Sequence, residues 1–86
     1  MDIVILDSAY KHGISKESIL SCLLNFRNDI VIDGNISKRL FVGFDDKGNE
    51  LEIIGVEDNE NDRLVVFHAM KLRRQFYGLL SGEGEI

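Results

Sequence analysis

The chain has 86 residues, a formal net charge of −5 and one cysteine, with 44% hydrophobic residues. That length fits one domain and leaves no room for two. The charge argues against broad binding to nucleic acid, which depends on neutralising many phosphates, and a lone Cys22 excludes an intrachain disulfide. The apolar opening Ile3–Leu6 is too short for a signal peptide or a membrane span. The expectation is a cytoplasmic protein that does not enter a membrane. Residues 1–80 should form a single α+β domain, and 81–86 a frayed tail.

In chain order, Asp2–Lys11 is ambiguous: Ile3–Leu6 could make a short strand, and residues 7–12 read better as a helix stopped by Gly13. Ser15 is a candidate N-cap with Glu17 in the first turn. Ile19, Leu20, Leu23, Leu24 and Phe26 then make a helical stripe. Cys22 lies within that stripe and reads as a core residue. From Ile30 the period changes. Ile30–Ile32 is a short strand ended by Asp33-Gly34-Asn35, and Arg39–Asp45 alternates. Asp46-Lys47-Gly48-Asn49 is a hairpin turn, Leu51–Val56 the return strand and Leu64–Ala69 the last strand. Leu72, Phe76, Leu79 and Leu80 fit one face of a closing helix.

Two N-terminal helices, about four antiparallel strands and a C-terminal helix predict a two-layer sandwich with one sheet face open.

The charge is uneven. Residues 45–62 are acidic apart from Lys47, whereas Arg63, Lys71, Arg73 and Arg74 follow with no acid among them. A local basic patch acts where the global charge does not. Arg73 and Tyr77, four apart, share a helix face. Arginine grips phosphate bidentately, and tyrosine stacks on a base or donates a hydrogen bond. His68, on the opposite side of its strand from Phe67, sits beside this patch. Lys11 and His12 close the first helix, where their charges complement its dipole or serve a site. If strand register brings Arg39 and Glu52 to His68, the cluster holds a base, an acid and a phosphate-binding cation. Those are the groups that RNA cleavage by its own 2′-hydroxyl requires. Two histidines and one cysteine make no zinc signature, and no phosphate-cradling glycine loop is present, so no cofactor is expected.

Lys11-His12-Gly13-Ile14-Ser15 with Glu17 resembles the opening signature of BrnT-like toxins, small bacterial ribonucleases of the RelE-like class. Arg39-Leu40-Phe41-Val42-Gly43 is similar to that family's second-strand segment. His68-Ala69-Met70-Lys71, Arg73 and Phe76-Tyr77 resemble its closing stretch. The resemblance spans roughly residues 8–80. It implies a RelE-like fold, an endoribonuclease that halts translation and growth, RNA as substrate on or off the ribosome, and a cognate antitoxin as partner. It carries over to His12, Arg39, Lys71, Arg73 and Tyr77; His68 and Glu52 rest on the residues themselves. The chain departs from the family in its acidic balance. The competing expectation is a non-catalytic interaction module that docks a protein through its open sheet face or the acidic 45–62 stretch.

Overall fold

The structure, a computed structural model, describes residues 1–81, apart from the side chain of Asn35. Five strands form one mixed sheet: β1 (Asp2–Ile5), β2 (Asn28–Ile32), β3 (Asn35–Phe44), β4 (Glu50–Asp58) and β5 (Arg63–Lys71). Their spatial order is β1-β5-β4-β3-β2. β2 to β5 run as an antiparallel meander, and β1 adds to the far edge parallel to β5. A single α-helix, α1 (Lys16–Leu24), separates β1 from β2.

This corrects the expected architecture in three places. The first expected helix, over residues 7–12, is only a 3-10 turn at Asp7–Tyr10, and Asp2–Ile5 before it is a strand. The sheet is five-stranded and mixed, because Asp2–Ile5 pairs with Arg63–Val66 across nearly the whole chain. The closing segment, Arg74–Ser81, is a 3-10 helix rather than an α-helix. The predicted tail beyond Ser81 lies outside the described residues.

Local chemistry accounts for the elements that form. Ser15 caps α1 by accepting a hydrogen bond from the Ser18 amide at 3.1 Å. The β2–β3 hairpin turns through Asp33 (φ 56°) and Gly34 (φ 68°). Positive φ at both central positions is the turn whose twist matches the flanking strands. The β3–β4 hairpin is held by the buried Asp45, which accepts from the amides of Lys47 and Asn49 and from the Asn49 side chain. Burial disfavours its charge, but these donors outweigh burial and hold the Asp45 carboxyl down at about 2.

Both faces of the sheet are packed, so the expected two-layer sandwich with an open face does not form. Between α1 and the sheet, Ile19 and Cys22 of the helix meet Phe41, Leu51, Ile53 and Val66. On the other face Leu79, Phe76 and Leu80 of the closing 3-10 helix pack with Leu40, Val42, Ile54 and Leu72. Burial pushes the Cys22 thiol up to about 12, with the nearby Asp45 charge adding to it. Cys22 is therefore an inert core residue at neutral pH. No described helix is long and apolar enough to cross a membrane.

Candidate functional site

The second core contains one charged side chain. Glu52 on β4 is fully buried, on the same face as Val42 and Met70, with which it pairs. An isolated carboxylate there would be costly to ionise. Here it is surrounded by donors. The Arg73 backbone amide donates to Oε1 at 2.9 Å. The guanidinium donates through Nε and Nη2, at 3.1 and 3.0 Å and at 2.8 Å. His68 Nε2 lies 3.1 Å from Oε2. Burial opposes ionisation, but the Arg73 hydrogen bonds, the His68 contact and the guanidinium charge win, and the Glu52 carboxyl sits below its usual range. The same contacts raise Arg73 above its ordinary value, its hydrogen bonds to Glu52 first among them.

An ionised Glu52 can only accept hydrogen bonds. His68 therefore presents Nε2–H to it, and the tautomer is fixed with Nδ1 as the free lone pair. A carboxylate on one ring nitrogen orients the imidazole and leaves the other nitrogen to take a proton. Glu52 is thus a positioning residue with no surface of its own to offer a substrate.

Sequence explains how these groups meet. The Leu72 amide extends the β4–β5 ladder by one bond, to the Glu50 carbonyl, and its side chain is buried. The chain then turns over Glu52 and delivers Arg73 to it. The Phe76 ring carries the guanidinium at 5.4 Å. On β5 the register slips at Ile54/Gly55: Ile54 pairs with His68 and Gly55 with Val66, leaving Phe67 as an extra residue. Hence Val66 and Ala69, three apart, both enter the core under α1. A Cβ on Gly55 would stand 2.9 Å from the Val65 carbonyl, so the slip requires glycine. Ser8 secures it by donating to the Phe67 carbonyl at 2.9 Å. The same segment brings His12, exposed just after the first 3-10 turn, edge-on to His68 with ring centroids 5.6 Å apart.

The structure therefore brings together His12, Glu52, His68 and Arg73. It does not bring in Arg39. β3–β4 register pairs Arg39 with Gly55 and Glu52 with Val42, which puts Arg39 on the α1 face. There it pairs with Asp29 and, at 3.6 Å, with Glu57. Its Nε is buried without an acceptor among the described residues. The basic patch of Lys71, Arg73 and Arg74 expected to bind phosphate also divides. Lys71 pairs with Leu51 on the α1 side, at the rim of an open cavity of about 480 Å³ shared with Lys47 and Ser15. Arg74 and Lys11 are exposed, and Tyr77 is 45% exposed on the closing helix. Among the described residues none of these three side chains forms a hydrogen bond or an ion pair. Phe67, Ser8 and Phe76 carry roles that the sequence does not announce.

The acidic stretch is not one surface either. Asp45 and Glu52 are buried, Glu57 faces Arg39, and Asp58 holds Arg63 at 2.8 Å. Among the described residues no group of three His, Cys, Asp or Glu is placed to hold a metal ion.

In the electrostatic balance of the site, one carboxylate meets an arginine and a histidine. Arg73 spends one edge on Glu52 and, 45% exposed, leaves the other to solvent. Two imidazoles stand beside it. Such a group can bind an anion and move protons on and off it. No family model, curated protein or solved structure matches the chain.

Proposed function

We propose that this protein is an endoribonuclease toxin of a bacterial toxin–antitoxin pair, cutting RNA by attack of the 2′-hydroxyl on the adjacent phosphate. What carries the reading is the buried Glu52 gripping both Arg73 and His68 with His12 alongside. The resemblance of residues 8–80 to BrnT-like toxins supports it independently. In this scheme Arg73 binds the scissile phosphate and stabilises the charge that develops on its oxygens. His68, oriented by Glu52, takes the proton from the 2′-hydroxyl. The 2′ oxygen bonds to phosphorus as the bond to the 5′ oxygen breaks. His12 gives that oxygen a proton, leaving a 2′,3′-cyclic phosphate and a 5′-hydroxyl.

Purified chain incubated with single-stranded RNA should leave those two ends. His68→Ala and His12→Ala should each slow cleavage by about 100-fold or more, the usual size of general acid–base catalysis. Expression without a partner should arrest growth, and His68→Ala should relieve the arrest. If the wild-type chain leaves RNA intact with and without ribosomes, the reading is wrong.

A further inference from the structure

We infer that the free edge of β1 takes a sixth strand, an extended segment of a partner protein whose alternate side chains are apolar. The ladder shows which groups of β1 are unclaimed. The Asp2 amide donates to the Asp62 carbonyl at 3.0 Å, and the Leu6 amide to the Val66 carbonyl at 2.9 Å. Successive residues of a strand present N–H and C=O to opposite sides, so Asp2, Val4 and Leu6 serve β5. Ile3 and Ile5 turn theirs outward, along the edge. Among the described residues no other strand pairs with that edge, and no loop amide or carbonyl bonds to it.

The two ends of the sheet differ. Edge strands are ordinarily blunted by a lysine, a proline or a bulge. β2 is blunted by the register shift between Val31 and Ile32. β1 is not: Ile3, Val4 and Ile5 follow one another in unbroken register along β5. Donors and acceptors repeating every second residue are what the main chain of an extended segment matches.

A groove beside this edge receives the side chains. It holds about 470 Å³ between Ile3 and Ile5 on one side and Tyr10, Lys16 and Leu20 on the other. Ile3 and Ile5 also pack against the core under α1, so the groove lies on that face of the sheet. Strand side chains alternate between faces, so every second residue of an added strand enters it. Asp2 and Lys16, both lining it, carry opposite charges. The groove therefore selects apolar shape rather than charge. A second copy of this chain is the poorer occupant. Pairing β1 with β1 of another molecule offers the groove only Ile3 and Ile5, and these are already packed against their own core. A separate extended segment brings side chains that are free to enter. The inference stands apart from the RNA reading, since none of these residues belongs to the Glu52 cluster.

The test uses the full chain, isotopically labelled, titrated with a synthetic peptide that alternates valine with threonine over about eight residues, the length of an ordinary strand. Saturable binding is expected, with amide shifts centred on Ile3, Ile5 and Leu20 and slower hydrogen exchange at the Ile3 and Ile5 amides. Two further peptides carry N-methyl groups, one on the valine amides and one on the threonine amides. Only one of these sets faces β1, so one methylated peptide should fail to bind and the other should bind as before. A peptide with serine for valine should bind several-fold more weakly, and Leu20→Ala should weaken the valine peptide to a similar extent while leaving RNA cleavage unchanged. The peptide controls leave the protein untouched, so they decide the matter even if Leu20→Ala loosens the fold. The inference is overturned if the valine peptide does not bind, if the two methylated peptides behave alike, or if the shifts map to Asn28–Ile32. A concentration-dependent dimer that protects the Ile3 and Ile5 amides without any peptide would also overturn it.

Discussion

An arginine–carboxylate cluster stands on each face of the sheet, Arg39 with Asp29 and Glu57 on one and Arg73 with Glu52 on the other, and the two are built to opposite balances. On the α1 face Arg39 lies between Asp29 and Glu57, one cation between two acids, and each side chain is only about a quarter to a third exposed. On the other face Glu52, fully buried, is gripped by Arg73 and His68, one acid between two donors, and Arg73 stays half exposed. The first cluster has no charge left for an anion. The second has a cation facing outward and imidazoles beside it. An arginine keeps an edge for an anion where its carboxylate partner is the more deeply buried of the two and has other donors, as at Arg73. An arginine paired with a glutamate stands in both, so that pairing alone does not separate them.

The sharpest way to break this contrast is to remove the buried carboxylate. Glu52→Gln keeps the shape but loses the charge that fixes the His68 tautomer and orients the guanidinium. Cleavage should fall by about 100-fold or more, the range over which a positioned acid–base pair contributes. Unfolding in urea should show a loss of about 2–4 kcal/mol, since breaking a buried pair strands its partner. If the activity loss merely tracked the unfolded fraction, Glu52 would be a core residue and nothing more. His68 nitrogen shifts separate the cases, because only an orienting Glu52 sets which nitrogen carries the hydrogen.

The matching change on the other face is Arg39→Met. Two acids then face each other without a cation, and stability should drop by about 1–3 kcal/mol. Cleavage per folded molecule should not change. A large fall in kcat at constant stability would mean that Arg39 reaches the RNA and that the two clusters are not opposites.

How much of this was open to reading from the sequence follows from the same pair of arginines. The meander strands, the Ser15 cap and both hairpin turns carry local chemistry, and they are legible. The assignment of Arg39 to the site of Glu52 was not forced by anything local. It was also checkable: a turn at Asp46–Asn49 that pairs Phe44 with Glu50 makes even-numbered residues of β3 face even-numbered residues of β4. Arg39 and Glu52 must then lie on opposite faces. The parallel pairing of β1 with β5 was not checkable, because Ile3–Ile5 reads the same whichever distant strand it joins. The extra residue at Phe67 is hidden for a similar reason, since strict alternation is assumed wherever strands are read by period two. His12 and His68 were each recognisable as candidates, but their proximity depends on the route of the 3-10 turn past β5. That Asp45, Glu52, Glu57 and Asp58, half of the acids in the 45–62 stretch, are buried or paired within the fold was likewise invisible to a count of charges.

Gly55→Ala probes whether the register slip matters to the site as well as to the core. The new methyl would meet the Val65 carbonyl and the Leu64 side chain, at 2.9 and 3.0 Å. Overpacking of this kind costs about 1–3 kcal/mol. Because Phe67 and His68 sit at the slip, the His12–His68 contact should loosen and kcat should fall several-fold with KM held. If stability drops with kcat intact, the slip serves only the core.

The smallest expected effect concerns a carboxylate that belongs to neither cluster. Asp45 has a folded pKa of about 2, below the value of about 3.9 for an unfolded aspartate. The folded state therefore binds fewer protons than the unfolded state between those values, and stability rises with pH across that window. The contribution is complete above about pH 4 and is lost as pH falls toward 2. Glu52, also lowered in the folded state, acts in the same direction. Asp45→Asn should flatten the pH dependence of stability between about 2 and 4, leaving the parts due to Glu52 and to Asp58, also held low by hydrogen bonds from Asn61 and Arg63, and should not alter cleavage at neutral pH. A full loss of the acid sensitivity in Asp45→Asn would mean that Glu52 is as easily protonated in the folded chain as in the unfolded one. The grip of Arg73 and His68 on it would then be too weak to orient an imidazole.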